Sequence, residues 1–151
     1  MNELNSFEVA GIGIFALVWI VVQVLYLLSL YNTMKAAPEK HHMFPAWFVW
    51  MMIIPVVGFI FAWIMVPFGV PKTMEAASGT NQEMKNASKT LFGLGLAQMI
   101  LFTLIFIPIV NFFTGIAGFV LWIIYWVKIV SFKNDYLTKP VVIEHDIENN
   151  K

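Results

Sequence analysis

The sequence predicts an all-α integral membrane protein, a bundle of four apolar helical segments with three or four crossings. Of its 151 residues, 60% are hydrophobic and 12% are charged, and this charged fraction is about half that of a soluble domain. Long uncharged runs occur at 9–31, 44–70 and 91–127, and each can cross a hydrocarbon core about 30 Å thick. The length favours one domain over 1–132, followed by a flexible polar tail over 133–151.

The first run, residues 9–31, is predicted to be a transmembrane helix. Its apolar side chains occur on every face of the helix, which suits a helix that contacts lipid as well as protein. Glu3 and Glu8 precede it where a secretory signal would carry Lys or Arg, so we expect this segment to be retained. Gln23 is the one strongly polar residue inside it.

The second run, residues 44–70, allows two interpretations because Pro55 interrupts its middle. It can cross as one kinked helix, which gives four crossings, or turn at 55–58 and return as a re-entrant hairpin, which gives three. Each arm of a hairpin would be only about 15–20 Å long, and its turn would place backbone polar groups at membrane depth. We therefore favour the kinked span.

The nine Lys residues bear on the same question, because positive charge tends to stay on the cytoplasmic side. With a kinked span, seven Lys share a side with both termini, while Lys35 and Lys40 lie opposite. With a re-entrant hairpin, all nine lie on one side and the N-terminus lies outside. Both interpretations predict a cytoplasmic C-terminus, in what we expect to be a bacterial inner membrane.

The third run is too long for a single crossing, because its 37 residues would extend about 55 Å as one helix. Pro108, Asn111 and Gly115 are turn formers, so the run is predicted to fold into a tight helical hairpin with helices near 91–107 and 112–132. Residues 71–90 are polar with only a weak apolar stripe, and we expect a surface loop or a short interfacial helix there.

The sequence around Pro55 resembles the sequence around Pro108, since residues 53–60 are IIPVVGFI and residues 106–113 are FIPIVNFF. Paired proline interruptions in two halves of a membrane protein can indicate a binding site, because broken helices free backbone carbonyls. Chance likeness between apolar strings is the alternative. Gln23 and Gln98 are polar residues inside apolar runs and can bond between helices or contact a solute. The candidate ligand-binding residues are Pro55, Gly58, Pro108, Asn111, Gln23 and Gln98.

Metal binding and membrane anchoring are predicted from local clusters. Glu39, His41 and His42 are residue types that bind Zn²⁺ or Fe²⁺, but adjacent His side chains diverge on a helix. We expect a solvated loop there, with no metal and no cofactor. Anchoring is predicted for aromatic residues near the ends of the runs and for one Lys with a long apolar stem, namely Trp47, Trp50, Trp122, Tyr125, Trp126 and Lys128.

No motif of a conventional active site is visible, and the chain has neither Cys nor Arg. Thiol chemistry is therefore excluded, and nucleic acid is not an expected partner. The leading hypothesis is a small structural or accessory subunit, whose partners are membrane lipids and either other membrane-protein subunits or a second copy of itself. The alternative is a small transporter or lipid-binding protein with its site near Pro55 and Pro108. An enzyme is not favoured.

Overall fold

The structure is a computed structural model that describes residues 6–138, with side chains from Glu8 onward, and this part of the chain is helical apart from short turns. The elements are α1 Ser6–Ala36, a 3₁₀ turn Glu39–His41, a 3₁₀ helix Ala46–Ile53, α2 Val57–Ile64, a π-helical turn Met65–Gly69, α3 Val70–Ala77, α4 Gln82–Leu104, α5 Asn111–Phe132 and a π-helical extension Lys133–Thr138. Four helices are long and apolar enough to cross a membrane: Glu8–Ala36, Val57–Ala77, Gln82–Leu104 and Asn111–Thr138.

The first helix, α1, is much longer than its neighbours. Its 31 residues extend about 46 Å, and it ends just before Pro38, which disfavours helical geometry in the preceding residue. The second half joins the core through side chains such as Tyr26 and Leu30, which are 2% and 0% exposed. The first half, from Glu8 to Ile20, is exposed on all faces.

The kinked span favoured for residues 44–70 is wrong, because the chain reverses direction at Pro55. The 3₁₀ helix Ala46–Ile53 packs antiparallel to α2, with the rings of Phe48 and Phe61 5.3 Å apart. At the other end of this hairpin, the Met43 backbone N–H donates to Thr73 Oγ1 at 3.2 Å. The turn that the alternative interpretation places at 55–58 is present, but the returning arm is not a short one, because it continues as the helix Val57–Ala77, which is long and apolar enough to cross a membrane.

The reversal keeps most of its backbone polar groups bonded, so it avoids most of the cost that argued against it. Val57 N–H donates to the Pro55 carbonyl at 2.8 Å, and Gly58 N–H donates to the Ile54 carbonyl at 2.6 Å. Val56 between them has φ 66° and ψ −60°, the values of a γ-turn with positive φ. Proline initiates the turn because it cannot continue the preceding helix.

The returning helix contains a π-helical turn, Met65–Gly69, around Pro67. Val70 N–H bonds to the Met65 carbonyl, five residues back. In the same pattern the Val66 carbonyl would pair with residue 71, which is a proline without an N–H. The Tyr125 hydroxyl of α5 donates to that carbonyl instead. The chain therefore replaces a missing helical bond with a bond between helices.

The hairpin predicted around Pro108 is present, with α4 and α5 antiparallel and joined by a turn over 105–110. The expectation of a loop or a short interfacial helix over 71–90 needs correction, because α3 continues to Ala77 and α4 already begins at Gln82. Asn81 caps α4 by accepting a bond from Met84 N–H at 3.0 Å. Met84, Ser88 and Leu91 are buried at helical spacing, so even a weakly apolar stripe is sufficient to pack this part of α4 against the bundle.

The helix directions place the charged residues at one end of the bundle. Trp126 Nε1 donates to Ser29 Oγ at 2.9 Å, so α1 and α5 run parallel and finish together. We call the end at which α1 and α5 finish the lysine end. All seven Lys of the described residues lie in the half of the bundle nearest to it, namely Lys35, Lys40, Lys72, Lys85, Lys89, Lys128 and Lys133. The opposite, Ile-Pro end contains the two Ile-Pro reversals and Glu8. The predicted tail is helical to Thr138, and 139–151 lie outside the described residues.

Candidate ligand-binding cavity

A cavity of about 480 Å³ lies between α1, the reversal at 54–56, α2, α4 and α5. This volume is in the range of about 300–1,000 Å³ that is typical of small-molecule sites. Most of the wall is apolar, with aromatic rings from Trp19, Phe59, Phe102, Phe119 and Trp122. The fold therefore provides an apolar site, open on one side, toward the Ile-Pro end.

Four of the six predicted ligand-binding residues line this one cavity. Gln23 comes from α1, Pro55 and Gly58 from the reversal and its following helix, and Gln98 from α4. They are far apart in the sequence, and the hairpin brings them together because it returns the chain between α1 and α4. These positions are the part of the predicted site that the fold assembles.

Pro108 and Asn111 do not line the cavity. Pro108 is exposed in the connection from α4 to α5, and Asn111 is exposed as the first residue of α5. The two Ile-Pro reversals share an end of the bundle, and the rings of Phe59 and Phe106 are 5.9 Å apart. The two reversals share one backbone bond, since Asn111 N–H donates to the Ile107 carbonyl at 3.0 Å as Gly58 N–H does to the Ile54 carbonyl, but the second reversal has no residue with positive φ. Similar sequences thus produce one reversal against the cavity and one at the outer edge.

The cavity arises where the short 3₁₀ arm ends. Its eight residues extend about 16 Å, and Val56 at the tip is 83% exposed, so its side chain does not fill the space beside α1. Gly58 allows α2 to start directly against the arm, since a Cβ there would collide with the Met52 carbonyl. A larger residue at 58 would push the two arms apart and change the shape of the cavity.

Polar groups in the cavity wall lack hydrogen-bond partners. Tyr26 and Gln98 are each 2% exposed, and neither Tyr26 Oη nor Gln98 Oε1 has a hydrogen bond of good geometry, although Gln98 lies beside the Tyr26 hydroxyl. The half-buried Gln23 amide also has no partner within residues 8–138. An unpaired buried polar group costs about 1–3 kcal/mol. The apolar wall therefore carries uncharged hydrogen-bonding capacity that the protein itself leaves unused.

Aromatic packing forms the wall on the α5 side. The Trp122 ring lies 5.2 Å from the Tyr26 ring, 5.8 Å from Phe119 and 6.1 Å from Trp19. Trp122 and Tyr125 are predicted membrane anchors, but they are 5% and 0% exposed. Side chains this deeply buried pack between helices and cannot reach a headgroup layer.

The other predicted anchors have different surroundings. Trp126 is half-buried and bonded to Ser29, and Trp50 is half-buried with its ring 6.0 Å from Tyr31. Trp47 and Lys128 are exposed. These two are the fully exposed members of the six predicted anchors.

The predicted metal-binding cluster does not form a coordination site in the described part of the chain. No group of three or more His, Asp or Glu residues there is arranged to hold an ion. His42 Nε2 lies 3.0 Å from the Ala37 carbonyl, which uses that nitrogen in a local bond. His145 lies outside the described residues.

Sequence reasoning missed Tyr26 and Trp19, which contribute the hydroxyl and one aromatic ring of the cavity. A hydroxyl-bearing ring inside an apolar run could have drawn attention to Tyr26. Nothing local distinguishes Trp19, because its place in the wall depends on where α5 packs. No family model matches the chain, and neither does any curated protein or solved structure.

Proposed function

We propose that the protein is an integral membrane protein that binds a neutral, mainly apolar molecule with a hydrogen-bonding group in this cavity. The observation that carries the proposal is a small set of polar groups in an otherwise apolar wall: Tyr26 Oη and Gln98 Oε1 are buried without a hydrogen bond of good geometry, and the half-buried Gln23 amide has no partner among the described residues. A ligand with a hydroxyl or carbonyl group would pair with these amides and bury its apolar part against the aromatic rings. This favours the lipid-binding function over the accessory-subunit function.

The cavity chemistry favours a neutral ligand over an ion. None of the described residues that line it is Asp, Glu, Lys or His. A charged group moved into such an environment would lose its hydration without gaining an opposite charge. A carboxylate or an ammonium is therefore a poor ligand, whereas an alcohol of the same chain length is a good one.

The entrance to the cavity faces the outside of the bundle. Ile20 and Ile53 both line it, yet they are 61% and 54% exposed. In a bilayer this opening between α1 and the 3₁₀ arm would face acyl chains, so an apolar ligand could enter from the lipid phase. A route through the aqueous phase would not be needed.

Tryptophan quenching tests this function, because Trp19 and Trp122 line the cavity. The probe is a long-chain alcohol brominated near its hydroxyl, titrated into the purified protein in a non-ionic detergent. We expect saturable quenching, and weaker quenching by the matching brominated fatty acid at neutral pH. Gln23→Leu and Gln98→Leu should each weaken binding of the alcohol about three- to tenfold, the value of one lost hydrogen bond.

Asn111→Leu is the matched control, since it removes an amide from an exposed site outside the cavity. It should bind the alcohol like the unmodified chain. Non-saturable quenching, or equal quenching of all three variants, would show that the probe dissolves in the detergent and does not occupy a site. Equal binding of the alcohol and the carboxylate would also contradict the proposal.

A second function, that of an accessory subunit, is supported by the first half of α1. Phe15 and Leu17 are 72% and 64% exposed, and a Cβ at Gly11 or Gly13 would meet nothing within 4 Å. A helix uncovered on all sides can contact lipid, a second copy or a larger assembly. Single-cysteine variants at Phe15 and, as a control on another exposed surface, at Phe113 test association with a second copy by disulfide crosslinking in membranes. Crosslinking at 15 alone supports it, and no crosslinking at either site opposes it.

For location, we propose a bacterial inner membrane with the lysine end and the C-terminus in the cytoplasm. The support is the charge distribution, because all seven described Lys lie toward one end and Glu8 lies toward the other. Positively charged residues are retained on the cytoplasmic side during insertion. The N-terminus would then be outside, as in the re-entrant alternative.

A further inference from the structure

We infer that a second cavity, at the lysine end, binds the headgroup of a zwitterionic phospholipid. It has a volume of about 490 Å³ and lies between the last turns of α1 and the loop that leads into the 3₁₀ helix. Its lining includes Lys35, Glu39, His42, Tyr31 and Trp47. Unlike the cavity at the Ile-Pro end, this site carries charges of both signs.

The two charges are separate and unpaired. Lys35 and Glu39 form no salt bridge with any residue in the described range, where the ion pair found is Lys72–Glu75. Lys35 Nζ instead lies 5.4 Å from the centroid of the Tyr31 ring. A Lys can bind a phosphate and a carboxylate can bind an ammonium. A phosphate and an ammonium on one molecule therefore match this pair better than either ion alone.

Aromatic side chains complete the match. Tyr31 and Trp47 line the cavity, and because the Tyr31 ring already contacts Lys35 Nζ, the exposed Trp47 ring is the one whose face can attract a ligand ammonium group. Trp47 is 53% exposed and lies at the end of the bundle that carries the Lys residues. Exposed indoles and Lys at one level are typical of the boundary between acyl chains and headgroups. The cavity thus lies where a headgroup would be.

The walls of the cavity are held in place from both sides. His42 is bonded to the Ala37 carbonyl, and the Met43 N–H is bonded to Thr73, which is fully buried in α3. These bonds fix the loop between α1 and the 3₁₀ helix relative to the helix that carries Thr73. The charged groups are therefore presented from an ordered loop.

Competition between two lipids tests the inference. The protein is reconstituted in nanodiscs with equal amounts of dioleoyl phosphatidylethanolamine and dioleoyl phosphatidylglycerol, and the retained lipids are identified by native mass spectrometry. We expect preferential retention of the ethanolamine lipid. Glu39→Gln should shift the ratio about two- to fivefold toward the glycerol lipid, and Lys35→Gln should reduce retention of both by a similar factor.

Lys89→Gln is the control, since Lys89 is exposed and does not line this cavity. Equal retention of the two lipids by the unmodified protein, or an unchanged ratio in Glu39→Gln, would overturn the inference. Displacement of the lipid by inorganic phosphate alone would assign the site to a free anion and would also overturn it. A folding defect would lower retention of both lipids and would not shift the ratio toward the glycerol lipid. Gln23→Leu, in the other cavity, should leave the lipid ratio unchanged, so the test does not depend on the ligand proposed for that cavity.

Discussion

The Tyr125 hydroxyl and the Val66 carbonyl, 59 positions apart, form a buried hydrogen bond that connects α5 to the π-helical turn. The carbonyl needs this donor because Pro71 lacks the N–H that the π-helical pattern would supply. Val66 also lines the cavity at the Ile-Pro end. The same bond thus stabilises the broken helix and the wall of the candidate site.

Tyr125→Phe should lower the free energy of unfolding by about 1–3 kcal/mol, because it leaves a buried carbonyl without a partner. Equilibrium unfolding in mixed detergent micelles, followed by circular dichroism, measures the change. Tyr136→Phe is the control, because Tyr136 is only half-buried and lies in the π-helical extension. Equal stability of the Tyr125 variant and the unmodified chain would mean that another group satisfies the carbonyl.

Gly95→Ala should destabilise the packing of α4 on the π-helical turn. A Cβ at 95 would lie 2.7 Å from the Val66 carbonyl oxygen and 3.2 Å from Pro67 Cα, and both are backbone atoms. Such overpacking costs about 1–3 kcal/mol. Gly93→Ala is a matched control with open space around it, and a gain of up to about 1 kcal/mol is expected there from helix propensity. If both variants unfold at the same detergent composition, the helices do not approach each other this closely.

Val56→Gly should stabilise the reversal. Val56 has φ 66°, which is strained for a β-branched residue and costs about 1–3 kcal/mol. Glycine adopts this φ freely, and after its own entropic cost of about 0.5–1 kcal/mol the expected net gain is up to about 2 kcal/mol. The exposed Val side chain loses little packing. Val57→Gly, at the start of α2, should instead destabilise, and the comparison by thermal unfolding decides whether the strain is present.

Single cysteines should report opposite exposure of the two ends, and the chain has no native Cys to remove. Asn111→Cys lies at the Ile-Pro end and Thr80→Cys lies at the lysine end, between α3 and α4. An impermeant thiol reagent on intact cells should label position 111, and position 80 only after permeabilisation. Labelling of position 80 alone from outside would show that the orientation is the opposite of the one proposed. As a control, both cysteines should react in permeabilised cells.

Much of the architecture could be predicted from the sequence, because it depends on local composition. The lengths of the uncharged runs predict helices that can span a membrane, and Pro108 with Asn111 marks the turn between the last two. The start of α4 at Gln82 was missed, because Met84 and Ser88 become a buried stripe only when α3 packs against them. Local polarity masked a helix that tertiary contacts support.

The sequence alone determined the helical class, the apolar segments and the residue types available for a site, because these follow from hydropathy and from chain-breaking residues. Only the tertiary structure decided the direction of the chain after Pro55, since a proline permits both a kink and a reversal. That reversal brings Pro55 and Gly58 to Gln23 and Gln98, leaves Asn111 outside, and buries Trp122 and Tyr125. These outcomes depend on contacts between segments that are distant in the sequence, so the residue pattern of any one segment cannot predict them.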